Sequence, residues 1–197
     1  MKPFAESSEQ NKQPILAVLQ VEFAKVTSVL EIGSGTGQHG VYFAEQFPHL
    51  HWHCSDQREY LPGIQQWLDD TSRTNLHGPY ELDVMQAQWP AEDFDGVFSA
   101  NTTHIMQWPM VEQMFAGIGR VLAAGGKCCI YGPFNYQGRY SSESNARFDQ
   151  WLKQRDPASG IRDVDDLQQL ARQTGLSLIN DYEMPVNNRI LVWQKDA

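Results

Sequence analysis

Apolar positions along this chain fall into two kinds of pattern. Short segments at 26–32, 51–55, 79–82, 94–100 and 127–131 read as strands, and 94–100, nearly continuous in small and apolar residues, suits a strand buried on both faces. Between them lie stripes at helical spacing. Val41, Ala44 and Phe47 share one face of 38–47, Leu61, Ile64 and Leu68 mark the next helix, and Met110, Met114, Ile118, Val121 and Leu122 form a stripe that begins at Trp108. Gly125-Gly126 is the predicted end of that stripe. Residues 1–13 are polar and predict a flexible arm, with a short helix opening at Pro14, where proline fits a first helical turn. After Gly132-Pro133 the pattern becomes polar, and further helices are predicted near 146–155 and 164–174. Two last strands, 176–184 and 189–194, are joined through Pro185-Val186-Asn187-Asn188 and predict an antiparallel hairpin. Five strand–helix units closed by a hairpin describe an α/β doubly wound, mostly parallel sheet with helices on both faces.

Composition narrows the setting. A chain of 197 residues that is 41% hydrophobic predicts one domain, 1–197, with a sizeable core. No apolar run approaches the roughly 18 residues of a membrane span, and Met1-Lys2-Pro3-Phe4-Ala5-Glu6 lacks an apolar signal core. The expectation is a soluble, cytoplasmic protein. A net charge of -9 without a basic block argues against a nucleic-acid partner and for a small molecule or a protein partner. Cys54, Cys128 and Cys129 fit reduced core residues. The histidines lack zinc-site spacing, with His49, His51 and His53 alternating along a strand, so no metal is expected.

The chemistry concentrates at strand ends, where open parallel sheets bind ligands. Strand 26–32 breaks into Gly33-Ser34-Gly35-Thr36-Gly37 and then a helix. The dinucleotide fingerprint is Gly-x-Gly-x-x-Gly; here the third glycine comes one place early and Gln38 stands in its position. Glu31, two places before the first glycine, is acidic where a dinucleotide-binding strand is usually apolar. This combination resembles motif I of the class I S-adenosylmethionine-dependent methyltransferases. The resemblance implies that Glu31, Gly33, Ser34, Gly35, Gly37 and Gln38 bind the cofactor, with Glu31 orienting its amino-acid end. Asp56 lies nineteen residues after Gly37, close to the roughly 20 at which a carboxylate meets ribose hydroxyls. The family also places an aspartate at Asp83, facing the adenine amine, with the backbone N–H of Val84 on a ring nitrogen. A glycine-rich structural turn and turn aspartates are the plainer alternatives.

The segment Asn101-Thr102-Thr103-His104-Ile105-Met106-Gln107-Trp108 follows the fourth strand, where this superfamily lines the methyl donor and often the acceptor. Asn101 is the first candidate for cofactor contact. His104 is the candidate base, because imidazole titrates near neutral pH; a hydrogen-bonded structural histidine is the alternative. His39 either lines the cofactor site or covers it.

A narrower resemblance rests on Asn11-Lys12-x-Pro14-Ile15-Leu16, Gly35-Thr36-Gly37-Gln38-His39, Tyr131-Gly132-Pro133-Phe134 and Met184-Pro185-x-Asn187-Asn188. These are similar to the DUF938 family, which includes the methyltransferase-like 26 proteins. The segment from Gly138 to Asp163 matches as well. The resemblance implies a Rossmann-like class I methyltransferase fold with a seven-stranded sheet and S-adenosyl-L-methionine as cofactor. It also suggests an N-terminal arm and helix, 1–25, covering the site and an insertion, 134–163, beside it. Asn11, Lys12, Tyr136, Asn145, Arg162 and Asn187 are the expected acceptor pocket, and Lys12 or Arg162 there would suit an anionic acceptor. Two rival readings stay open: a non-catalytic cofactor-binding or interaction protein, and an NAD-dependent oxidoreductase.

Overall fold

The computed structural model describes residues 2–90 and 93–197. Strands β1 (Ser28–Ile32), β2 (His51–Asp56), β3 (Leu76–Glu81), β4 (Phe94–Ala100) and β5 (Leu122–Gly132) lie parallel. Three short strands, β6 (Phe134–Tyr136), β7 (Arg139–Tyr140) and β8 (Arg162–Asp163), form a small second sheet. The chain closes with β9 (Leu176–Met184) and β10 (Asn188–Lys195), and β10 runs antiparallel to both β5 and β9. The large sheet has the order β3-β2-β1-β4-β5-β10-β9. This is the seven-stranded α/β sheet with a terminal hairpin that the sequence predicts.

Helices α1 (Glu6–Glu22), α2 (Gln38–Gln46) and α3 (Leu61–Asp69) cover one face, and α4 (Trp108–Val121) and α6 (Val164–Gln173) the other; α5 (Glu143–Arg155) belongs to the segment between β7 and β8. The strands feed two cores by simple alternation. Leu30, Ile32, Cys128 and Ile130 face α4 and α6, while Val29, Cys129 and Tyr131 face α1 and α2. Such two-sided burial is the reason β4 appears as a nearly continuous run of small and apolar residues. All three cysteines are buried and free. Among the described residues no helix is long and apolar enough to cross a membrane.

Four elements differ from the sequence reading, each for a physical reason. The arm predicted for 1–13 is mostly helix, because α1 begins at Glu6 and runs through Pro14. Its buried stripe is Asn11, Ile15, Val18, Leu19 and Glu22, polar at both ends, so the hydrophobic pattern shows only the middle. An internal proline costs about 3 kcal/mol; burying Ile15, Leu19 and Phe23 completely is worth about 6 kcal/mol gross and outweighs it. At the other end of the stripe, buried Glu22 accepts from Lys127 Nζ at 2.8 Å, Asn180 Nδ2 at 2.7 Å and the Tyr182 hydroxyl, tying α1 to β5 and β9. Second, β3 starts at Leu76, and its register with β2 shifts between His53 and Ser55, so the edge strand passes Gly78-Pro79 without a regular ladder. Third, α4 ends at Val121, not at Gly125-Gly126, because Leu122 turns extended to pair with Phe94 and the register then shifts before Gly96 meets Lys127. Fourth, His51 and His53 do share a centre. Residues two apart on a strand share a face; His51 Nδ1 lies 2.8 Å from His77 Nε2, and the His53 and His77 rings are 4.6 Å apart. Among the described residues no cluster of three or more His, Cys, Asp or Glu is placed to hold a metal ion.

Candidate functional site

The order of the sheet reverses direction between β1 and β4, and the crevice outside the strand ends at such a point is where doubly wound sheets bind ligands. A cavity of about 650 Å³ opens there. Its floor is Ile32, Gly33, Ser34, Gly35 and Thr36, with Asp56 from the end of β2 and Asn101 and Thr102 from the end of β4. Leu82, Val84, Ile105, Met106 and Met110 give it an apolar wall, and Pro3, Ala5, Ser7 and Ser8 close it from the N-terminal side.

The glycine loop is held rigid from below. Gly33 and Ser34 donate their N–H groups to the Ser55 carbonyl at 3.0 and 2.9 Å, and Gly37 donates to the Ser34 carbonyl at 2.9 Å. Gly35 sits at φ +59°, a left-handed conformation that favours glycine, and a Cβ there would meet no atom within 4 Å, because that side of the backbone is the open cradle. Its N–H donates to Asp56 Oδ2 at 2.7 Å, and Gln57 N–H donates to Oδ1 at 2.7 Å. Each carboxylate oxygen keeps a second lone pair for a hydroxyl from the cavity. Burial raises the Asp56 pKa, and the two backbone N–H groups oppose that shift.

Glu31 lies beneath the cradle, not at its surface. Its Oε2 accepts from Ser34 Oγ at 2.8 Å, from Trp52 Nε1 at 3.0 Å and from Cys54 Sγ at 3.6 Å. Burial holds its carboxyl above the usual range. Glu31 is not among the residues lining the cavity and reaches the loop through Ser34, whose hydroxyl it holds. A Cβ on Gly40 would lie 2.3 Å from Cys54 Sγ and 3.1 Å from Glu31 Oε2, so glycine at this position lets α2 pack closely over the pair. Gln38 is likewise a brace: its Oε1 accepts from the backbone N–H of Ala5 at 2.6 Å and from Thr36 Oγ1 at 2.9 Å, pinning the N-terminal segment to the loop. His39 does line the cavity; its Nε2 is 2.7 Å from Asn11 Oδ1, and burial lowers its pKa to about 4, so the ring is neutral.

A second cavity, of about 320 Å³, adjoins the first, and both are lined by Ser7 and Asn101. It is assembled from distant pieces of chain: Gln10, Asn11 and Pro14 of α1, Tyr131 at the end of β5 and Pro133 just past it, Asn145 and Phe148 of α5, Pro185 and Val186 between β9 and β10, and Asn188 at the start of β10. Asn145 Nδ2 donates to the Asn187 carbonyl at 3.0 Å, Asn187 Nδ2 to Ser144 Oγ at 3.0 Å, and Asn188 Nδ2 to the Tyr131 hydroxyl at 2.9 Å. The turn that carries these amides is strained: Val186 and Asn187 have φ of +60° and +58°, rare for a β-branched residue. Val186 is nonetheless 82% exposed, so no packing of its side chain explains the conformation.

The expected acceptor residues divide. Asn11 and Asn145 line the second cavity, and Asn187 braces it. Lys12 lines neither cavity; it pairs with Glu9 and lies 4.9 Å from the Tyr42 ring centre. Arg162 is turned inward, donating to the carbonyls of Thr103 (3.1 Å), Ala158 (3.0 Å) and Met106. The Tyr136 hydroxyl donates to Asp181 at 2.7 Å, beside Arg189. The cationic groups that suggested an anionic acceptor are thus engaged elsewhere. Asp83 is flanked by cavity-lining Leu82 and Val84, but its own carboxylate accepts the Met85 N–H at 3.0 Å. His104 is 4% exposed and lines neither cavity; its ring packs edge-on to Phe148, 5.3 Å between centres. Burial, with help from Arg162, lowers its pKa to about 4, and its Nδ1 has no hydrogen-bond partner among the described residues. Tyr131 and Asn188 enter the sequence reading only through the family motif. Their position at the carboxyl end of β5 and the facing end of β10 is the signal that marks them as cavity residues.

Solved structures share this architecture. An O-methyltransferase family protein from Burkholderia thailandensis superposes with a TM-score of 0.84 at 14% identity, over 98% of this chain and 58% of that one. The S-adenosylmethionine-dependent methyltransferase SibL gives 0.82 at 18% identity, over 97% and 56%. Human N-acetylserotonin methyltransferase, solved with S-adenosylmethionine, gives 0.80 at 14% identity, over 98% and 53%. The chain spans a little more than half the length of each. The sequence itself matches a family described as "Protein of unknown function (DUF938)" over residues 2–195, and the chain belongs to that family.

Proposed function

We propose that this protein is an S-adenosylmethionine-dependent methyltransferase that acts on a small molecule. The observation that carries the reading is the joining of two cavities at Ser7 and Asn101, one with a glycine cradle beside an acidic strand end and one without such a cradle. The structural neighbours, themselves methyltransferases, support the donor half. A cavity of about 650 Å³ is ample for the cofactor, and the residues fit it: Gly35 leaves the cradle open, Asp56 retains lone pairs for a diol, and Leu82, Val84 and Met106 offer apolar faces to a purine.

When bound, the cofactor supplies an electrophilic methyl group: a lone pair of the acceptor forms the new bond to carbon, the carbon–sulfur pair returns to sulfur, and a proton on the acceptor atom passes to water or a base. The chain's own contribution is alignment and exclusion of water. Ser34, fixed by Glu31, lines the larger cavity, and Asn101, at φ +58°, lines both. His104 is a weak base at a pKa of about 4, and Phe148 lies between it and the second cavity, so transfer on this reading relies on positioning first.

Thermal shift with S-adenosylmethionine, S-adenosylhomocysteine and NAD tests the donor. Ligand at ~100 times its dissociation constant adds about 2.7 kcal/mol of stability. Stabilisation by the first two is expected, and stabilisation by NAD alone overturns the reading. Formation of S-adenosylhomocysteine in a metabolite extract then separates an enzyme from a cofactor-binding protein without turnover.

A further inference from the structure

Resting on the methyltransferase reading, we propose that the second cavity binds an uncharged acceptor with a flat apolar part, and that the Tyr131 hydroxyl donates the hydrogen bond that orients it. The first observation is the cavity's electrical character. Among the described residues it is lined by amides, hydroxyls, prolines, Phe148 and Val186, and by no side chain with a formal charge. The cations that could have faced it are already committed: Lys12 to Glu9, and Arg162 to three backbone carbonyls. A carboxylate, phosphate or ammonium moving into such a cleft would lose hydration with no counter-charge to replace it. A neutral molecule loses much less, and its apolar face meets Pro14, Pro133 and Phe148.

The second observation concerns one proton. Tyr131 is 4% exposed, and its oxygen receives the Nδ2 donor of Asn188 at 2.9 Å. An amide donor therefore points at the phenol oxygen, and no bond from its own hydrogen to a protein acceptor is formed among the described residues. Burial keeps the phenol protonated at neutral pH, since it raises the pKa above its ordinary value. The free O–H lies on the wall of the cavity. It selects a ligand atom that accepts a hydrogen bond, such as a carbonyl, ether or hydroxyl oxygen or a ring nitrogen.

A matched series reads this directly: benzamide, benzoate and benzylammonium share a ring and differ in charge. Titrated by ligand-observed NMR into protein saturated with S-adenosylhomocysteine, benzamide should bind about tenfold or more tighter than either ion. Tyr131→Phe should weaken benzamide about fivefold, the worth of one neutral hydrogen bond, with affinity for S-adenosylhomocysteine within about twofold of the parent. Asn188→Asp provides a second arm that places a charge in the cleft and should raise benzylammonium binding above that of benzamide. Undetectable benzamide, benzoate equal to benzamide, or a Tyr131→Phe protein with unchanged benzamide affinity each overturns the proposal. Failure of S-adenosylhomocysteine to bind overturns the donor reading instead, and the same series on the ligand-free protein still tests the cleft.

Discussion

The glycine-loop cavity takes its floor from the ends of three neighbouring parallel strands, β1, β2 and β4, whereas the adjoining cleft is assembled from α1, α5, the end of β5 and the turn leading into β10. The first contains a carboxylate and a glycine loop whose backbone groups are tied to Ser55 and Asp56. The second contains only neutral polar groups and apolar walls. The rigid half rests on sheet geometry that many sequences share. The other half rests on contacts between segments 42 to 57 residues apart in sequence, Asn145 and Ser144 with Asn187 and Tyr131 with Asn188, so its shape depends on how those segments meet.

The largest expected effect breaks the first half alone. Asp56→Ala removes two charge-assisted hydrogen bonds to a diol and the brace on Gly35; affinity for S-adenosylhomocysteine should fall a few hundred-fold, about 3–4 kcal/mol. Calorimetric titration measures this, and benzamide binding in the cleft should change less than about twofold. An equal loss in both would mean that the two cavities are one site.

A smaller effect sharpens how the cradle is supported. Burial raises the folded-state pKa of Glu31 above its ordinary 4.5. Its contribution is therefore complete below the unfolded pKa and is lost as pH rises through the folded value. Glu31→Gln, which keeps an acceptor for Ser34, should gain stability relative to the parent as pH increases from 5 to 8. Urea unfolding at three pH values checks the sign, and a gap that widens in the parent's favour contradicts it. The smallest effect belongs to the cleft: Val186→Gly should raise stability by about 0.5–1 kcal/mol by relieving the φ +60° conformation, as thermal unfolding would register.

The two halves were also unequally legible in the sequence. The strand runs, the glycine loop, Asp56 and the terminal hairpin are local patterns, each set by backbone chemistry within a few residues, and the sheet follows from them. Glu31 shows what identity alone leaves out: a carboxylate next to a glycine loop reads as a ligand contact, and the fold adds that it is buried against the Trp52 N–H and holds the Ser34 hydroxyl. The reach of α1 is hidden because its stripe begins and ends in buried polar residues, Asn11 and Glu22. Lys12 and Arg162 read as acceptor residues from charge, but their partners, Glu9 and three backbone carbonyls, become clear only in three dimensions. Tyr131 needed the fold most, since the Asn188 amide that donates to its hydroxyl lies 57 residues away in sequence.

The central claim is that the donor occupies the glycine cavity and leaves the charge-free cleft open beside it. An amide ¹H–¹⁵N NMR map recorded while S-adenosylhomocysteine is titrated into the protein tests this residue by residue. The account predicts saturable shifts centred on Gly33, Ser34, Gly35, Asp56, Val84 and Asn101, with Ser144, Asn145 and Asn188 nearly still. Shifts centred on Asn145 and Asn188, or a map with no saturable shifts, would contradict it.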